Sequence, residues 1–259
     1  MTHGAALAAC LLLGACASAG APAPIPTAPG YLNAASIQSL ADATPAPTPW
    51  DPAGPDPHPA SMDRWWLATA HAELRPPEAA QHFDCVLGAR LAGAPRPALT
   101  RLMNRLLADA DSLTRILAET APRPRPIKVI AGLEPCVRVN DAVRDTSSWP
   151  AGAAVVGSAY GEMFAALAPD RSEAARRIGR EIGLSRVVCR MNWPADVTDG
   201  AALGQRLYAV EAKSATFAAD LEAARADVAA ARAEGLSSPG CAAERRGLGQ
   251  AGRGATSEP

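Results

Sequence analysis

Seven apolar residues, Leu99, Leu102, Met103, Leu106, Ala110, Leu113 and Leu117, fall on one stripe when the chain is wound at 3.6 residues per turn. The pattern predicts an amphipathic helix over 98–119. Pro122, Pro124 and Pro126 end it, because a proline inside a helix removes a donor and clashes with the preceding turn. A stripe that long must be buried against other elements, and the rest of the chain offers only helices. Residues 153–167 are apolar and small, the pattern of a buried helix. Residues 171–184 form a charged helix with Ala174, Ala175, Ile178 and Ile182 turned inward. Residues 199–234 read as one long Ala, Glu and Arg helix, whose charged face is either solvated and laced by side-chain pairs or docks a partner. Apolar residues make up 48% of the 259, enough for a core, and with aromatics at 4% that core is aliphatic. Helix formers dominate and β-branched runs are few, so the expectation is an all-α helical bundle.

The bundle is assigned to 60–236, with four segments in all. Residues 1–16 form an export signal: Ala5 to Gly14 is short, apolar and followed by small residues. Leu13-Gly14-Ala15-Cys16 resembles a bacterial lipoprotein cleavage box, which implies lipid on Cys16 and tethering on the periplasmic side of the outer membrane. An ordinary cleavage site near Ala17–Gly20 is the alternative. Residues 17–59 are dense in Pro, Ala and Thr and form a tether or a strap on the domain, with Tyr31-Leu32 and Ile37–Leu40 able to dock. Residues 237–259 are Gly-, Ser- and Arg-rich and are expected to be disordered. A net charge of −1 leaves no footprint for nucleic acid or for electrostatic membrane binding. Export implies an oxidising compartment. Cys85, Cys136, Cys189 and Cys241 then allow three full pairings, among which spacing does not choose.

Three segments, in order and in register, carry a family resemblance. Arg125-Pro126 follows the predicted helix, with Ala118 seven residues before the arginine. Placing the pair at Arg123-Pro124 moves that earlier position to Ile116. Pro150-Ala151-Gly152-Ala153 opens the next helix, and Ser185-Arg186 precedes Asn192 and Asp196. These segments resemble the signature of class A bacterial non-specific acid phosphatases, of the superfamily of type 2 phosphatidic acid phosphatases and vanadium haloperoxidases. The resemblance covers about residues 31–235 and implies an all-α bundle of that type. It also implies a phosphate pocket at Arg125, Gly152 and Arg186, and a bond between Cys136 and Cys189, which stand where the family can carry cysteine.

In that family one histidine attacks phosphorus, an aspartate orients it, a second histidine protonates the leaving oxygen, and Lys, Arg and Ser hold the equatorial oxygens. Here the Lys position is Ala118, the Ser position Ala151, the acid position Ala153 and the nucleophile position Asn192; Asp196 and the two arginines remain. An amide nitrogen is not nucleophilic, because its lone pair is delocalised. No histidine follows His82, and His3, His58, His71 and His82 all fall outside the motifs. The expectation is therefore a pseudophosphatase with a residual pocket for phosphate or another small anion, and no metal or other cofactor. An active phosphomonoesterase with a non-standard nucleophile and a structural or partner-binding lipoprotein are the rival readings. Arg186, beside apolar Val187, faces the pocket or forms a structural ion pair, and Arg125 is a pocket ligand or an ordinary solvated arginine. Asp196 is expected to survive as a helix cap or as Arg186's partner, and Asn192 as a hydrogen-bonded replacement in the old pocket.

Overall fold

The computed structural model describes residues 29–51 and 61–249. The expected export signal, the expected lipidation at Cys16 and residues 17–28 lie outside the described residues. Eleven α-helices are described: α1 (Ala34–Asp42), α2 (Met62–Ala70), α3 (Asp84–Leu87), α4 (Pro97–Thr120), α5 (Pro126–Val129), α6 (Asp141–Arg144), α7 (Gly152–Leu167), α8 (Ser172–Val188), α9 (Pro194–Glu211), α10 (Ala215–Ala233) and α11 (Cys241–Gly247). Short 3₁₀ turns join them, and there is no strand among the described residues. The protein is all-α. No described helix is long and apolar enough to cross a membrane.

The centre is α7, buried from Ala154 to Leu167 except at Glu162 and Ala166. It can be buried because its small residues let two helix backbones approach it. A Cβ at Gly157 would stand 2.7 Å from the Gly179 carbonyl of α8, and one at Gly200 of α9 would stand 2.8 Å from the Ala151 carbonyl. The expected stripe of α4 closes the core, with all seven of its apolar residues buried. Pro97 starts α4 at a position where a missing N–H costs nothing, and the chain leaves the helix at Ala121, before Pro122.

Three differences from the sequence expectation have local causes. The stretch 199–234 is two helices, broken where the Ser214 side chain accepts from the Phe217 N–H and caps α10. The segment before the bundle is a docked strap carrying α1. Arg105 lies over the Tyr31 ring at 4.0 Å, Tyr31 Oη donates to Asp220 at 2.9 Å, and the N–H groups of Tyr31 and Leu32 donate to Asp109. Further along, Thr48 bonds Asp199 through its N–H and its hydroxyl. The expected disordered tail from 237 instead contains α11. Cys241 is bonded to Cys85, Arg246 pairs with Asp63, and Gly247 lets α11 rest on the Asp63 carbonyl and Leu67. Low hydrophobicity hid this contact, because a covalent link and a glycine make it. The second disulfide joins Cys136 to Cys189.

Candidate anion site

The loop after α4, the N-terminus of α7, the end of α8 and the turn before α9 surround a cleft of about 710 Å³. Ala118, Arg125, Gly152, Ala153, Arg186 and Asn192 all line it. Ala151 does not: it is fully buried as the residue preceding α7. Asp196 is also fully buried and lies outside the lining.

Arg115, Arg125 and Arg186 line this space, and the last two face it in different ways. Arg125 is fastened: it donates to the Met191 carbonyl at 2.8 Å and, through two nitrogens, to Thr146 Oγ1 at 2.9 and 3.1 Å. The Arg186 guanidinium has no hydrogen-bond or ion-pair partner among the described residues. Burial, and then the like charge of Arg125, push its pKa down to about 10. Two guanidinium groups that raise each other's energy, one without a counter-ion, make a place where a bound anion is stabilised. The N-terminus of α7 adds to it. No side chain caps that end, and the Gly152 and Ala153 N–H groups have no acceptor among the described residues. Thr114 on α4 approaches Gly152, and its buried Oγ1 also lacks a partner among the described residues. Opposing charge comes from Asp111, Glu119 and Asp145 in the wall, of which Asp145 is paired with Lys128 at 2.7 Å.

Beneath the cleft a buried chain of polar groups fixes Asn192. Asn192 Nδ2 donates to the Ser148 carbonyl at 2.6 Å, and Ser148 Oγ donates to Asp196 Oδ2 at 2.5 Å. Asp196 forms an ion pair with Arg123, which also donates to the Thr48 carbonyl at 2.7 Å. Burial pushes the Asp196 carboxyl up, against the pull of Ser148 and Arg123. Asp196 also accepts from the Trp193 N–H at the start of α9, at 3.4 Å. Asp196 is thus not the expected N-cap: Trp193 caps α9, Asp196 supports that cap from the third helical position, and its cationic partner is Arg123 and not Arg186. The reason is topological: the proline-rich turn sends Arg123 inward, 7% exposed, and Arg125 to the cleft. Sequence reasoning also missed Ser148 and Thr114, for which no motif position speaks.

The two described histidines lie elsewhere. His71 and His82 pack edge to face, centroids 5.1 Å apart, and line a separate cavity of about 390 Å³. His71 Nδ1 bonds Ser185 Oγ at 2.8 Å, and His82 Nε2 donates to the Glu73 carbonyl at 2.7 Å. Burial, with the charges of His82 and Arg64, holds His71 down to about 3, so its ring is neutral.

The fold and the cleft define an all-helical protein with an arginine-lined cleft at the start of a buried helix. No protein-family model matches the chain. It is 29% identical over 171 residues, 65% of this chain and 64% of the other, to a protein of Zymomonas mobilis subsp. mobilis named acid phosphatase. It is 27% identical over 139 residues to the non-specific acid phosphatase of Providencia stuartii, covering 53% of this chain and 56% of that one. With the non-specific acid phosphatase of Salmonella typhimurium it shares 25% over 142 residues, 54% and 57% of the two chains. The chain is thus a distant relative of acid phosphatases, and the match spans less than two thirds of each relative's length.

Proposed function

We propose that this protein is an exported, catalytically inactive relative of acid phosphatases that binds phosphate or a similar small oxyanion. One observation carries the reading: the cleft that holds Arg125, Arg186 and the open N-terminus of α7 has Asn192 as its polar floor. The amide can neither attack phosphorus nor take up a proton at neutral pH. Ala153 offers no acid for the leaving oxygen, and general acid help alone is worth about 10²–10⁴ in rate. Neither described histidine lines the cleft. Charge-assisted hydrogen bonds contribute about 1.5–3 kcal/mol each, so two arginines hold an anion with a Kd of about a millimolar. Tethering through lipid on Cys16, facing the periplasm, is part of the same proposal and rests on the sequence box alone.

The test pairs an assay with a titration. Purified protein is expected to leave p-nitrophenyl phosphate intact at acid and neutral pH. Calorimetry is expected to detect phosphate binding that Arg186→Ala abolishes. Hydrolysis that disappears in Arg186→Ala would overturn the inactive reading and favour the second one, an active phosphomonoesterase with a different nucleophile, to which the names of the relatives point. Equal heats from both proteins would remove the binding claim.

A further inference from the structure

A carboxamide has a donor end and an acceptor end, and its surroundings decide which one meets a ligand. In Asn192 that choice is made from below. Its nitrogen is 2.6 Å from the Ser148 carbonyl, which can only accept, so that end must be the NH₂. Ser148 is held in turn, its hydroxyl given to Asp196 and Asp196 neutralised by Arg123. Turning the amide over would set Oδ1 against the Ser148 carbonyl oxygen. The orientation is therefore fixed by a buried network that reaches the strap through Arg123 and Thr48.

Oδ1 is left as a bare acceptor. It takes no hydrogen bond from the described residues, and it is not among the polar atoms sealed from solvent. Asn192 is 4% exposed and lines the cleft, so Oδ1 opens onto the space shared with Arg125 and Arg186. An anion drawn there by Arg125 and Arg186 brings its own lone pairs against that oxygen. Repulsion results unless the anion carries a hydroxyl to donate.

We propose, resting on the anion-site reading above, that Asn192 makes the cleft selective for a protonated tetrahedral oxyanion. The ligand class is hydrogen phosphate or the singly ionised form of a phosphomonoester, in preference to sulfate, which has the same shape and carries no proton near neutral pH. The ionised oxygens meet Arg125, Arg186 and the N–H groups of Gly152 and Ala153, and the P–OH donates to Oδ1. Asn192 thus acts as a specificity-determining residue, with Ser148 and Asp196 as positioning residues.

The experiment is a calorimetric titration of the full chain with sodium phosphate and with sodium sulfate at pH 7 and equal ionic strength. Phosphate is expected to bind at least about tenfold more tightly, short of the 10⁴ or so reached by a closed site built around a substrate hydroxyl. In Asn192→Leu the ratio is expected to fall to about one. A measurement on the unaltered protein does not depend on that variant folding. Methyl phosphate is expected to bind more tightly at pH 5, where much of it keeps a proton, than at pH 8, where it does not. Sulfate at the same two pH values is the control for the charged wall, which holds Asp111, Arg115, Glu119 and Asp145. Equal affinity for phosphate and sulfate overturns the selectivity and leaves the anion site standing. Failure to bind either anion overturns the site and the selectivity together.

Discussion

Glu211 is fully buried at the end of α9, and neither of its carboxyl oxygens meets a donor group among the described residues. What it meets is a second carboxyl, Asp109 of α4. Asp109 already accepts the N–H groups of Tyr31 at 2.6 Å and Leu32 at 3.1 Å, so it is the better placed to be ionised. The two acids then share one proton, held by Glu211. Burial, the hydrogen bond to Asp109 and the charge of Asp109 push Glu211 up from 4.5 to about 10, with Arg105 pulling the other way. A carboxyl raised on folding stabilises the fold fully below its unfolded pKa, and that contribution is lost as pH climbs towards the folded value. At about 1.4 kcal/mol per pH unit, holding the proton costs about 3 kcal/mol by pH 7. Glu211→Gln removes the titration and keeps a donor towards Asp109. The variant should match the parent in stability near pH 4.5 and exceed it by about 3 kcal/mol at pH 7, the gap widening at pH 9. For a domain of this size that corresponds to a Tm about 6–12 °C higher at pH 7. Guanidinium unfolding of both proteins, disulfides intact, at pH 5, 7 and 9 measures it. A difference that is flat with pH, or a loss of stability at all three, refutes the shared proton.

Three further outcomes are expected. Asp196→Ala strands Arg123 in the interior and should cost about 3–5 kcal/mol in chemical denaturation, whereas Leu184→Ala, exposed on α8, should cost little. Asn192→His, Ala153→His, Ala151→Ser and Ala118→Lys together should turn a protein that leaves p-nitrophenyl phosphate intact into a measurable phosphatase, and adding Arg186→Ala should silence it. A folded but inactive fourfold variant would argue against the assigned register. Cys16→Ser should move the protein from the membrane fraction to the soluble periplasmic fraction, and unchanged partitioning would rule out the lipid tether.

The helices legible from sequence were those whose burial is repeated along the chain. Leu99 to Leu117 announce α4 because one face packs for its whole length, and the small residues of α7 announce a helix enclosed by others. The motif register named Ala118, Arg125, Gly152, Ala153, Arg186 and Asn192, and these line one cleft. The partners were not legible. Two arginines two residues apart read alike, and only the path of the turn decides that Arg123 meets Asp196 while Arg125 meets Met191 and Thr146. Asp109 looked like one more polar residue on α4, since its partners, Tyr31, Leu32 and Glu211, stand far from it in the chain. The segment around Cys241 looked disordered because composition does not register a single covalent link.

That link has a consequence for how the protein withstands cutting. Cys85 and Cys241 are 156 residues apart, and the Cys136–Cys189 bond lies wholly inside the ring they close. Arg125, Gly152, Ala153, Arg186 and Asn192 of the cleft all belong to the outer ring. A protease that nicks one exposed loop between the outer cysteines releases no fragment, since both new ends remain joined through sulfur. The nicked chain would migrate as one band until a thiol is added, and would then separate into two.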